Sequence, residues 1–167
     1  FGWGPGMVGV SLAIFGIGIA IVQGLLIRPI ITRLGERNTV IMGLSVDVVA
    51  FIALGFVTNG WIALAMTPLT ALGSIAGPAL QGIMSRIADD NQQGELQGTL
   101  SSINAVATIF APLLVTQIFW YFTTDTAPVY SPGAPFLMSA VLTLVCIAIF
   151  VTIRSDPSRQ NRPTTSQ

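Results

Sequence analysis

Val40-Ile-Met-Gly-Leu-Ser-Val-Asp47-Val-Val-Ala-Phe-Ile-Ala-Leu-Gly-Phe-Val-Thr58 decides the fold. The stretch is about as long as the ~20 residues a helix rising ~1.5 Å per residue needs to cross ~30 Å of hydrocarbon. One residue in it is charged. A carboxylate near the centre of such a helix costs roughly 2.5 to 3.5 kcal/mol on insertion scales, so Asp47 is a candidate functional group. The alternative is a neutral or neighbour-held aspartate that serves packing specificity.

Four more apolar runs flank this one, giving spans at about 7–27, 40–58, 61–84, 100–122 and 136–153. The fold class is therefore all-α integral membrane, with five transmembrane helices. Composition agrees: 52% of residues are hydrophobic and 8% charged, against ~25% charged in a soluble domain. Mean hydropathy is +0.77. Net charge is zero, so no broad basic surface invites nucleic acid. The chain has no histidine, which excludes histidine metal sites, Ser-His-Asp chemistry and histidine proton relays. Cys146 is the single cysteine and cannot form an intrachain disulfide. No catalytic residue, metal site or cofactor is expected, and the chain is not read as an enzyme.

The seven cations are all arginine and fall on alternate connections: Arg28, Arg33 and Arg37, then Arg86, then Arg154, Arg159 and Arg162. That one-sidedness makes their face cytoplasmic. Trp3, Trp61, Trp120, Tyr121 and Tyr130 gather at the other face, as an interfacial belt would. Five crossings put the two ends of the chain on opposite faces. The chain opens on Phe1 without the cationic region or cleavage site of a signal peptide, and reads as a piece of a larger protein. Residues 1–154 form the helical bundle, and 155–167 a disordered cytoplasmic tail. Short connections predict that consecutive helices are antiparallel neighbours.

Small residues mark where helices approach closely in lipid. Span one carries Gly9, Gly16, Gly18, Ala20 and Gly24; span three carries Gly73-Ser-Ile-Ala-Gly77-Pro78. Pro68, Pro78 and Pro112 should kink or loosen their helices, each removing a backbone hydrogen bond. Gly73, Gly77 and Pro78 are thus packing or hinge candidates. Gly43 and Ala50 flank Asp47 on its own face, a groove suited to a helix or a wet cavity. Gln23, Asn104 and Gln117 are the candidate cavity-lining or substrate groups; each could instead make one interhelical hydrogen bond, worth roughly 0.6 kcal/mol. Ser45 is a further polar group at membrane depth. The connection 85–98 reads as a solvated loop with Gly94 and Gly98 at turn or helix-approach positions, and Asp89-Asp90 as solvated rather than metal-binding.

Arg33-Leu-Gly35-Glu-Arg37 resembles the loop signature of major facilitator superfamily transporters, in which Gly, an Asp-Arg pair, Gly and two basic residues recur. Arg33, Gly35 and Arg37 match. Arg28, Thr32 and Glu36 stand where the pattern has Gly, Asp and a basic residue, so the copy is degenerate. The later succession is similar to the tetracycline efflux pumps of the drug:proton antiporter branch. It runs from Asp47 through Asn59-Gly-Trp61, Gly77-Pro-Ala-Leu-Gln-Gly82, Met84-Ser-Arg86, Asp89-Asp90 and Gln93-Gly-Glu-Leu-Gln-Gly98 to Ala111-Pro-Leu-Leu114.

The resemblance implies helices eight to twelve of a twelve-helix transporter, most of its C-terminal six-helix half, in the bacterial inner membrane. It implies exchange of a metal–tetracycline chelate for protons, the divalent cation arriving only with the substrate. The implied partners are membrane lipid, the N-terminal half of the same transporter, the drug and protons. It places a transport acid at Asp47 and a helix-eight glutamine at Gln23. In that superfamily the ninth helix is peripheral, so Asp47 is read as coupling protons or stabilising a state rather than touching drug. Two other readings stay open: a same-fold exporter of another hydrophobic drug or metabolite, and a non-transporting structural membrane subunit. The last leaves Asp47 and the ordered motifs unexplained.

Overall fold

The computed structural model describes residues 2–124 and 130–153. Among them every regular element is helical, and five helices are long and apolar enough to cross a membrane. They are α1 (Pro5–Leu34), α2 (Glu36–Phe56), α3 (Gly60–Ile87), α4 (Gln93–Thr123) and α5 (Ala134–Thr152). Arg154, Arg159, Arg162, the tail 155–167 and part of the connection before α5 lie outside the described residues.

At the arginine-bearing end the helices outrun their apolar cores. α1 continues through Arg28 and Arg33, which the hydropathy pattern had placed in a connection. Ile27, Ile30, Ile31 and Leu34 recur at helical spacing there, so one face stays apolar while the arginines lie on the others. Pro29 lacks an N–H and its ring crowds the carbonyl four residues back. The helix absorbs this as a π-helical stretch over Val22–Leu26. Gly35, at φ +78°, then ends α1 and starts α2 with a single linking residue, a backbone state that a residue without Cβ adopts freely.

The polar loop expected at 85–98 is also mostly helical. α3 runs to Ile87, a short 3-10 turn covers Asp90–Gln92, and α4 begins at Gln93. Gly94 and Gly98 therefore lie in the first two turns of α4 rather than in a turn. The Gln93 amide closes the corner, donating to the Ser85 and Ala88 carbonyls at 2.7 and 3.1 Å. These are the carbonyls that a helix end leaves without intrahelical partners.

Pro68 and Pro112 sit inside continuous helices. Pro78 does not. α3 is interrupted at Ser74–Ile75, between the segments Gly60–Gly73 and Ala76–Ile87. Proline at 78 cannot donate to the Ser74 carbonyl four residues back, and its ring excludes that carbonyl from a regular turn. The chain tightens instead: Ile75 N–H donates to the Leu72 carbonyl and Ser74 Oγ to the Ala71 carbonyl at 2.6 Å.

Packing keeps the expected consecutive neighbours α2–α3 and α4–α5 and departs from that succession elsewhere. α2 is the hub, lying against both segments of α3 on one side and α5 on the other. α1 leans mainly on the first segment of α3 and meets α2 chiefly at their shared turn. Across the bundle the order is α1, α3, α2, α5, with α4 at the edge against α5 and no residue of α4 buried. Missing side chains decide these pairings more than connection length. A methyl built on Gly18 would stand 2.8 Å from Ala71 Cβ. One on Gly43 would stand 2.9 Å from the Ala76 nitrogen, and one on Gly55 would strike Leu137. Gly9, Gly16 and Gly24 have no such neighbour among the described residues, so of the glycines expected to pack α1, Gly18 is the one in use.

Candidate functional site

Asp47 is the twelfth residue of the 21-residue α2, close to its middle. Gly43, Asp47, Ala50 and Leu54 recur at intervals of four, three and four, which aligns them as one stripe. That stripe faces α3 at its interruption. Gly43 abuts Ile75 and Ala76, and the Asp47 carboxylate rests on Gly73, where a Cβ would collide with it. Gly73, read from sequence as a packing or hinge position, is thus the seat of the acid. Gly77, the other glycine of the pair, has open space around it and does not share that role. Pro78 contributes through the interruption it causes.

No described side chain donates to or pairs with the half-buried Asp47 carboxylate. An intramembrane acid without an ion-pair partner can take up or release a proton without first breaking a salt bridge, whereas one locked to arginine cannot. Chemically the arrangement offers one exchangeable proton beside a helix whose backbone is already loosened.

The other candidates do not gather around it. Gln23 is exposed in the π-helical stretch of α1, and Asn104 and Gln117 are exposed on α4, across the bundle. None of the three has a side-chain hydrogen bond. Ser45, exposed, donates to the Ile41 carbonyl of its own helix at 2.7 Å. Among the described residues no group of three His, Cys, Asp or Glu side chains is placed to hold a metal ion.

The loop-signature residues form a second constellation at the arginine-bearing end. Arg37 Nη2 donates to the Val151 and Ile153 carbonyls at 3.3 and 3.4 Å, and its guanidinium carbon lies 5.9 Å from the Phe150 ring centroid. A cation at the C-terminus of α5 meets both its unpaired carbonyls and its dipole. Glu36, the residue that departs from the signature, pairs with Arg86 at 3.0 Å and so ties the start of α2 to the end of α3. Arg33 lies exposed on the last turn of α1 and joins neither contact. The Glu36–Arg86 pair escaped sequence reasoning because it joins positions fifty residues apart whose approach depends on how α2 packs on α3.

A cleft at the opposite, aromatic end was also not anticipated. It is about 170 Å³, open to the outside, and lined by Trp3, Ser11, Leu54, Ala63, Thr67 and Thr70 among others. The Trp3 indole packs on Gly60 at the first turn of α3, with ring atoms 2.6 to 2.9 Å from where a Cβ would stand. The available signal was Thr67, Thr70 and Gly73 at successive steps of three, a polar line on α3 leading to the acid's seat.

The family model described as Major Facilitator Superfamily matches residues 1–167. The chain is 38% identical over 147 residues to the class C tetracycline resistance protein of Escherichia coli, covering 88% of this chain and 36% of that protein. To the class G tetracycline resistance protein of Vibrio anguillarum it is 38% identical over 149 residues, 89% of this chain and 37% of that one. It is also 29% identical over 170 residues to the Hippocampus abundant transcript 1 protein of Mus musculus, 88% of this chain and 35% of that protein. The chain thus spans little more than a third of the length of these relatives. No solved structure matches the chain.

Proposed function

We propose, for a chain that belongs to the Major Facilitator Superfamily and forms part of a multi-pass membrane transporter, that it serves proton-coupled export of a drug from bacteria. The substrate in this reading is a metal–tetracycline chelate and the membrane is the inner one. The arginine-bearing end is cytoplasmic, following the charge bias of the connections. Export proceeds by alternating access, one helical bundle rocking against another around a site near the midplane. The observation that carries the reading is the Asp47 carboxylate, unpaired and seated on Gly73 where α3 is interrupted.

Coupling follows from that seat. With Asp47 neutral, no ion has to be solvated in the contact between α2 and α3, and the two helices can close on each other. With Asp47 charged, desolvation opposes closure and favours a state that admits water. A proton taken from one side and released to the other therefore drives the interruption of α3 between two packings. Substrate binds elsewhere, in a cavity completed by helices outside this chain. The exposed Gln23, Asn104 and Gln117 are the groups this chain offers to it.

The test is export of a fluorescent tetracycline from membrane vesicles bearing the complete transporter, with and without an imposed pH gradient. Gradient-dependent transport supports the reading; transport indifferent to the gradient sinks the coupling. A second reading keeps fold and coupling but changes the cargo to another hydrophobic compound. The same vesicles offered a panel of hydrophobic dyes decide between the two. A non-transporting structural subunit would move none of these compounds.

A further inference from the structure

We propose that the cleft between the aromatic-end halves of α1, α2 and α3 is the water-filled route by which protons reach Asp47. The inference rests on the coupling role given to Asp47 above and names the path that role requires.

Three residues that carry hydroxyls line the cleft: Ser11 from α1, Thr67 and Thr70 from α3. Each spends its hydrogen on its own helix, Ser11 on the Val8 carbonyl at 2.8 Å, Thr67 on Ala63 at 3.4 Å and Thr70 on Thr67 at 2.8 Å. The lone pairs that remain on these oxygens can accept hydrogen bonds from water. Water stays in a cavity that is roomy and offers several polar partners, and 170 Å³ holds about five molecules at ~30 Å³ each. Trp3, seated on Gly60, flanks the entrance.

The inner end of the cleft is aimed at the acid along both walls. On α3, Thr70 precedes Gly73 by three residues, a rise of ~4.5 Å, and the Asp47 carboxylate lies on Gly73. On α2, Leu54 lies two turns from Asp47 on the same stripe, with Ala50 between them. Ala50, the residue between them on α2, is fully buried and carries only a methyl group. In this proposal a small shift of α3 against α2 joins the water to the carboxylate, and the interruption at Ser74–Ile75 is where α3 has the freedom to make it. No other described ionisable group stands between. On α3 the charged residue is Arg86, paired with Glu36 at the far end; on α5 the titratable group is Cys146, exposed; Arg28 and Arg33 of α1 are at the arginine-bearing end.

The experiment uses the complete transporter with Cys146→Ala, in vesicles. Thr70→Cys should react with a small charged thiol reagent from the aromatic side at least about tenfold faster than Val49→Cys, since thiols react as thiolates and thiolates need water. Val49 is exposed near the depth of Asp47 but is not among the residues that line the cleft. Ala63→Phe, which fills the cleft, should slow gradient-driven export by about tenfold while downhill release of drug without a gradient continues. Thr70→Val, nearly isosteric, should slow it in the same direction and guards against misfolding of the larger variant. Equal labelling of Thr70→Cys and Val49→Cys, or full gradient-driven rates in Ala63→Phe and Thr70→Val, overturns the route. Asp47→Asn run in parallel separates the two failures. If it abolishes coupling while the cleft variants pump normally, the route alone is wrong. If it pumps like the parent, the coupling role itself fails.

Discussion

A carboxylate seated on a glycine gives this chain its sharpest expectations at the scale of single residues. Asp47→Asn keeps shape but cannot titrate. It should insert at least as well as the parent, because the roughly 3 kcal/mol cost of the ion disappears, yet lose pH-gradient-driven export. Asp47→Glu keeps the acid and changes its reach, so part of the activity should remain. Vesicle efflux normalised to protein amount reads both; an Asp47→Asn variant pumping at the parental rate would leave the acid as a packing residue. Gly73→Ala tests the seat. Its methyl would collide with the carboxylate, so it should destabilise the protein and lower transport, and Asp47→Ala should relieve the damage. The double-mutant cycle should show coupling on the order of 1 kcal/mol, as expected for residues in contact. Gly77→Ala, with open space around it, should be close to neutral.

Among the helices, the ties at the arginine-bearing end differ in kind. The Glu36–Arg86 pair joins α2 to α3, but the Arg86 side chain is 76% exposed, so solvent screens it to within about 0–1 kcal/mol. Arg37 instead holds two carbonyls at the end of α5 and lies beside the Phe150 ring. Charge-assisted bonds to helix-terminal carbonyls contribute more, here on the order of 1 kcal/mol given their length. Arg37→Ala should therefore lower thermal stability in detergent more than Arg86→Ala does. The reverse order would mean that the exposed pair holds the bundle together. The interruption of α3 makes a contrast in the same helix. Pro78→Ala restores the N–H that the Ser74 carbonyl lacks and should straighten the helix. Stability should rise while gradient-driven export falls, because the seat of Asp47 then loses its freedom.

For the molecule as a whole, the one-sided arginines predict a cytoplasmic face at their end. Single cysteines at Thr58 and Ser131, in a background lacking Cys146, should react with an impermeant thiol reagent from outside intact cells. Those at Asn38 and Gln92 should react only after permeabilisation; labelling of Asn38 from outside would sink the orientation. Thr58 is used because the neighbouring Asn59 side chain accepts the Trp61 N–H and caps α3. Residues 1–167 expressed alone should leave drug accumulation unchanged. Among the described residues α4 has none buried, and a Cβ on Gly9, Gly16 or Gly24 of α1 would meet no atom within 4 Å, so large faces lack partners. Robust export by the isolated segment would defeat its assignment as part of a larger transporter.

The number of helices, the membrane setting, the family and the acid were readable from the linear chain. Those follow from run length, hydropathy and the identity of single residues, all of which are local. Helix ends were less legible, because amphipathic turns such as Ile27–Leu34 stay helical past the last wholly apolar residue. The neighbours of each helix were legible only in part: the consecutive pairs α2–α3 and α4–α5 pack together as short connections predict. That α1 leans on α3, that α2 is the hub, and that Asp47 sits on Gly73 rather than on Gly77 depend on which missing side chain meets which surface. The cleft of Ser11, Thr67 and Thr70 and the Glu36–Arg86 pair arise the same way. Such contacts join residues far apart in the chain, and only the tertiary structure decides them, through close packing that a linear pattern of small and large residues does not encode.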